Sequence, residues 1–207
     1  MATPTDGHRI GFARTPQVLD WVDRAGIPHV TLWVLSTENL RRDPAEVEVV
    51  MDVLCETVRR LALQERWRVR HLGTTDGLSE RLKRILALAE EHTDRPARMT
   101  VNLAIGYGGR REIVTAVRAA LAHTIQHGAT AAEAAEHLTP EQITRQIGNG
   151  RPEPDLIIRT SGELRSSGFL LWSAADARWW FTPTLWPDFD RRHLRRALIH
   201  YRKAQQR

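Results

Sequence analysis

Short apolar runs alternate with segments of helical period along this chain. Apolar runs at 29–35, 67–73, 99–105 and 155–158 predict strands, and a further short apolar piece falls at 169–172. Between them, residues 44–64 place Val47, Val50, Met51, Leu54, Val58 and Leu61 on one stripe, which predicts a long helix. Helices are also expected at 79–92, 110–127, 131–138, 140–147 and 193–206. The first helix is expected at 15–25, with Thr15 as N-cap, Pro16 at the first helical position and Gly26 as the stop. No strand signal precedes it. The pattern predicts an α/β fold, a mostly parallel sheet flanked by helices that lacks its first strand. No linker and no repeat interrupts residues 1–207, so one domain is expected.

The bulk properties narrow the classes. The 207 residues are 42% hydrophobic and 27% charged, the composition of a soluble globular domain long enough for one sizeable core. The single cysteine, Cys55, excludes an internal disulfide framework and fits a reducing compartment. No apolar run approaches the roughly 18 residues of a membrane span, and the first residues carry no apolar signal segment. A cytoplasmic protein is expected. The net charge of +5 admits nucleic acid as a partner, but the basic residues are dispersed among acids and no nucleic-acid motif is legible.

Candidate chemistry collects where strands end. Arg159-Thr160-Ser161-Gly162-Glu163-Leu164-Arg165-Ser166-Ser167 sets two guanidinium groups and several hydroxyls beside a glycine, directly after Leu156-Ile157-Ile158. Planar donor forks, hydroxyls and an approachable backbone suit a multiply charged oxyanion such as diphosphate. Ser36-Thr37-Glu38-Asn39-Leu40-Arg41-Arg42 follows the strand at 29–35, and Gly106-Tyr107-Gly108-Gly109-Arg110 follows the strand at 99–105. In open α/β sheets, ligands sit outside the carboxyl ends of the strands. Each turn alone also fits plain capping or punctuation; the three together are more specific.

These turns, with Phe169-Leu170-Leu171-Trp172 and Phe181-Thr182 through Leu185-Trp186-Pro187-Asp188-Phe189, resemble the ordered signature blocks of the cis-prenyltransferases. This is the undecaprenyl diphosphate synthase (isoprenyl transferase) family, and the actinobacterial branch is the nearest in pattern. The resemblance implies an enzyme that condenses isopentenyl diphosphate with an allylic diphosphate to form Z double bonds. It implies Mg²⁺ as cofactor and a dimer, as a homodimer or with a homologue, with no nucleic acid and at most peripheral membrane contact through the lipid product. Block matching assigns substrate binding to His8, Ser36, Thr37, Glu38, Arg42, Arg159, Arg165, Ser166 and Ser167, with Asn39 at the position of proton removal or its relay. Met51, Leu54, Cys55, Val58 and Met99 would line the tunnel for the growing chain.

Two departures stand out. The family's first block, a strand ending in Met-Asp-Gly-Asn with a Mg²⁺-binding Asp, has no counterpart; the chain reads as truncated at its N-terminus, with Asp6 a weak substitute. The family's second Mg²⁺-ligating position, a Glu, is Arg178 here, a cation that offers no oxygen ligand. These departures raise a second expectation, a non-catalytic diphosphate-binding subunit partnering a full-length homologue.

Overall fold

The computed structural model describes residues 4–205. The elements run α1 (Pro4–Arg24), β1 (His29–Ser36), α2 (Pro44–Leu63), β2 (Arg68–Leu72), α3 (Glu80–His92), β3 (Thr100–Tyr107), α4 (Gly109–Gln126), α5 (Ala131–Glu136), α6 (Pro140–Gln146), β4 (Leu156–Arg159), β5 (Arg178–Phe181) and α7 (Arg191–Gln205). The expected α/β architecture with a parallel sheet flanked by helices is present. Contacts gather the chain into two compact units. The first comprises the residues up to Tyr107, Ile158–Leu164 and those from Trp180 onward; the second comprises Gly108–Ile157 and Arg165–Trp179.

In the first unit, β1 and β2 flank β3 in parallel, the order being β1-β3-β2. Parallel neighbours need crossovers, and α2 and α3 supply them. β3 is buried along nearly its whole length, as a central parallel strand should be. Val50, Leu54, Val58 and Leu61 of α2 join Leu82 and Leu86 of α3 and Val101, Leu103 and Ile105 of β3 in one core. Asp43 caps α2, accepting from the backbone N–H groups of Ala45 and Glu46, and Ser79 caps α3. The β1–β3 register slips between Trp33 and Leu35 and again between Leu35 and Ser36. Such bulges re-aim the chain where strands end near a site. Gly106 sits at the second slip with φ of 62°, and a Cβ there would collide with the Thr74 carbonyl. Only glycine fits that approach.

The beginning of the chain differs from the sequence reading. Thr15 is not an N-cap: α1 begins at Pro4 and carries Pro16 in its interior. A proline there removes a helical hydrogen bond and costs about 3 kcal/mol in isolation. Tertiary contacts offset that cost. Trp186 Nε1 donates to the Gly11 carbonyl at 2.8 Å, Arg14 Nε donates to the Pro187 carbonyl at 3.0 Å, and Phe12 packs on the core. The apolar piece at 169–172 is a series of turns, with Leu170 buried at φ of 48°, and the strand that pairs with β4 is instead β5. Arg178 N–H donates to the Asp155 carbonyl and Thr182 N–H to the Arg159 carbonyl, each at 2.9 Å, so β4 and β5 run in the same direction.

The second unit has a smaller core of Ala116, Ile143 and Ile147, with Ile113, Val117, Leu138 and Trp172 around it. Capping boxes at Thr130/Glu133 and Thr139/Gln142 start α5 and α6.

Candidate active site

Where β1 leaves the sheet, the Thr37 N–H donates to the Tyr107 carbonyl at 2.9 Å. That bond ties the ends of β1 and β3 side by side and sets Ser36–Arg42 at the carboxyl edge of the sheet. Inside the loop, Ser36 and Asn39 lock each other. Asn39 Oδ1 accepts from the Ser36 N–H at 3.1 Å and from the Ser36 hydroxyl at 3.0 Å, while the Asn39 N–H donates to Ser36 Oγ at 3.1 Å. A backbone N–H demands an acceptor, so this network fixes which end of the amide faces inward. Its oxygen is committed, and the Nδ2 donors are the end left to meet a ligand. An amide is no base, so Asn39 cannot itself take up a proton.

Glu38 is held below the usual carboxylate range, chiefly by its own backbone N–H; burial opposes this, and the Thr37 hydroxyl and the Arg41 charge add smaller contributions in the same downward direction. It stays ionised at neutral pH. Arg42 reaches forward to Glu46 in the first turn of α2, Nη1 to Oε1 at 2.9 Å. Ser36, Thr37, Glu38 and Asn39 therefore form one loop cluster, with Arg42 beside it on the helix start. Arg41, whose charge acts on Glu38, is a contributor that the sequence reading left unassigned; its place one helical turn past Glu38 was the signal.

The loop after β4 is built differently. Ser161 and Gly162 both have φ of 75°. A backbone anion site needs successive N–H groups that are free and converge, as in an αR–αL turn. Here Ser161 N–H donates to the Thr184 carbonyl and Gly162 N–H to the Thr182 carbonyl, each at 2.9 Å. The expected backbone approach to an anion is therefore withdrawn at these two residues, and side chains must do the binding. Arg159, largely buried, forms an ion pair through Nη2 with the half-exposed Glu163 at the strand end.

Arg165, Ser166 and Ser167 belong to the second unit. Ser167 has φ of 48° and opens a turn in which Phe169 N–H donates to the Ser166 carbonyl at 3.0 Å. A Cβ on Gly109 would collide with the Gly168 carbonyl, so this turn lies against the first residue of α4. His8 and Asp6 fall in α1 by backbone; their side chains lie outside the described residues.

Met51, Leu54, Cys55, Val58 and Met99 come together inside the first unit's core, none more than 7% exposed. Burial raises the Cys55 thiol above its ordinary value, so it behaves as a small apolar group. A cleft of about 550 Å³ lies on a neighbouring face of α2, lined by Val49, Val53 and Thr57 with both basic (Arg9, Arg60, Arg81) and acidic (Asp52, Glu56) side chains. None of the five buried residues lines it.

Mg²⁺ needs a set of oxygen donors. Among the described residues, no three His, Cys, Asp or Glu side chains group to hold a metal ion, and Arg178 is an exposed cation at the strand start.

Comparison with known proteins bears on the family. The family described as "Putative undecaprenyl diphosphate synthase" matches residues 1–207. A short-chain Z-isoprenyl diphosphate synthase of Mycobacterium leprae is 47% identical over 197 residues, covering 94% of this chain and 75% of that protein. An isoprenyl transferase of Thermus thermophilus is 42% identical over 211 residues, covering 99% and 80%. Among solved structures, lavandulyl diphosphate synthase from Lavandula x intermedia, in complex with dimethylallyl diphosphate, superposes with a TM-score of 0.89 at 30% identity, covering 97% of this chain and 87% of that one. With hydroxyl, amide and arginine groups gathered at the carboxyl ends of its strands, and with these matches along its length, the chain belongs to the undecaprenyl diphosphate synthase family of prenyltransferases.

Proposed function

We propose that this chain is a Z-isoprenyl diphosphate synthase that joins isopentenyl diphosphate to an allylic isoprenyl diphosphate. The observation that carries the reading is the Ser36–Asn39 lock, which presents amide donors at the sheet edge beside an ionised Glu38. In the reaction, the C1–O bond of the allylic substrate breaks and diphosphate leaves with the electron pair. The isopentenyl double bond attacks C1, a new carbon–carbon bond forms, and a proton leaves the neighbouring carbon. Asn39 holds the oxygen that takes up this proton, by donation from Nδ2. The fixed Ser36 and Thr37 hydroxyls and Glu38 keep that oxygen in place. Arg159 on the first unit is a diphosphate ligand by charge and fork geometry; Arg165, Ser166 and Ser167 on the second, and His8 and Arg42, are assigned to diphosphate binding on the family pattern. Mg²⁺ is the family's usual cofactor, and it would supply positive charge to the departing diphosphate when bound.

Met51, Leu54, Cys55, Val58 and Met99 bound the apolar end of the site. Their place on the family pattern, with the printed name of the M. leprae relative, supports a short product. A homodimer working in the cytoplasm completes the proposal. The relatives are named as a transferase and a synthase, which does not favour the non-catalytic subunit. The test is an assay of the purified chain with radiolabelled isopentenyl diphosphate, an allylic primer and Mg²⁺. Elongated product with a new Z double bond is expected. Binding without turnover, with activity restored only by adding a homologue, would overturn the proposal.

A further inference from the structure

Thr182, Thr184, Asp190 and His193 form a directional hydrogen-bond chain that the function above does not use. Thr182 Oγ1 donates to Thr184 Oγ1 at 3.1 Å, and Thr184 Oγ1 meets His193 Nε2 at 3.0 Å. On the other side of the ring, Nδ1 lies 2.7 Å from Asp190 Oδ1 and 3.2 Å from the Asp190 N–H. These two contacts require opposite protonation of Nδ1. The shorter one, to a carboxylate, decides: Nδ1 carries the proton and donates to Oδ1, which leaves Nε2 to accept the Thr184 hydroxyl. Asp190 also caps α7, Oδ1 accepting from the backbone N–H groups of Arg192 at 2.8 Å and His193 at 3.0 Å. The His193 N–H is the main reason the Asp190 carboxyl is held down to about 2. The chain therefore ends on a permanent anion, and each bond polarises the next.

Its other end reaches the loop after β4. The Thr184 carbonyl holds Ser161 N–H and the Thr182 carbonyl holds Gly162 N–H, at the two left-handed positions that follow Arg159. A serine in that conformation is uncommon and persists only where neighbours over-determine it. The hydroxyl chain is one such determinant, because it fixes the side chains of 182 and 184 and with them the backbone that grips the loop. We infer that His193 is a positioning residue for diphosphate capture, acting through Thr184 to hold the Ser161–Gly162 turn and so the direction of Arg159. The inference rests on the reading of Arg159 as a diphosphate ligand. The sequence signal was Asp190-x-x-His193 at a helix start, the spacing of a capping box with imidazole in the third position.

The test is calorimetric binding of isopentenyl diphosphate without an allylic substrate, so that nothing turns over. His193→Gln keeps a capping side chain and breaks the bridge; Thr184→Val removes the hydroxyl and keeps the shape; Thr184→Ser restores it. His193→Gln and Thr184→Val are each expected to raise Kd about fivefold, the worth of one hydrogen bond. The double variant should be no worse than either single, and Thr184→Ser should bind as the parent does. In turnover, KM for isopentenyl diphosphate should rise while kcat holds. Parent-like Kd in both singles, or fully multiplicative losses in the double, would overturn the inference. Arg159→Gln separates the two layers. If it loses binding while His193→Gln does not, only the positioning role fails; if it binds as the parent does, the diphosphate reading fails, and the positioning role with it.

Discussion

Asn39 shows how one committed atom decides a residue's chemistry. Its oxygen is used twice by Ser36, so its contribution is a pair of N–H donors. Asn39→Asp keeps the inward oxygen and the turn but replaces those donors with an anionic oxygen facing a diphosphate. The expected result is an unchanged melting temperature with kcat/KM lowered about 10²–10³-fold, the usual loss for a positioned donor. Steady-state rates alongside thermal melts check this; activity within threefold of the parent would remove Asn39 from the site. The residue types at Ser36, Glu38 and Asn39 were legible because a polar cluster followed an apolar strand. The direction of the amide was not, because it depends on the Ser36 N–H, a backbone group that carries no sequence signal. For the same reason the use of Ser161 and Gly162 N–H groups by Thr184 and Thr182 could not be foreseen.

Among the elements, the period of α2 and the apolar runs of β1, β2 and β3 were readable because burial alone determines them. α1 was misread where Thr15-Pro16 imitates a helix start, since the contacts of Trp186 and Pro187 with Gly11 and Arg14 join residues more than 170 positions apart. β5 went unread because its four residues, Arg178–Phe181, are short and only half buried. α2 carries the prediction at this scale. Met51 is the least buried of the five apolar candidates at 7%, and its sulfur accepts from the Ser79 N–H at 3.3 Å. Met51→Ala should open space at the apolar end of the site, lengthening the product while lowering stability by about 2–5 kcal/mol. Mass spectrometry of the products and chemical denaturation read the two effects. A destabilised enzyme with unchanged product length would make Met51 core packing alone.

At the scale of the molecule, the chain crosses between its two compact units at Tyr107/Gly108, Ile157/Ile158, Leu164/Arg165 and Trp179/Trp180. Units that are discontinuous in this way leave no linker in the sequence, which is why nothing in the composition marks them. Their cores are unequal. The first joins four helices, α1, α2, α3 and α7, to a buried parallel sheet, while the second rests on Ala116, Ile143 and Ile147. α5 and α6 span six and seven residues, below the length at which a helix is stable by itself, and each buries a single side chain, Ala134 or Ile143. Their capping boxes contribute roughly 1 kcal/mol each, enough to define the helix starts without holding the helices against opening. Local opening should therefore begin in the second unit. Hydrogen exchange followed by mass spectrometry is expected to show α5 and α6 exchanging first, α4 later, and β3 and α2 last. Protection in α5 and α6 equal to that of β3 would mean that both units open only together, and the unequal cores would then have no bearing on stability. Fast exchange in α5 and α6 would put the arginine and serines assigned to diphosphate on the unit that opens more readily, and Arg159 on the one that holds.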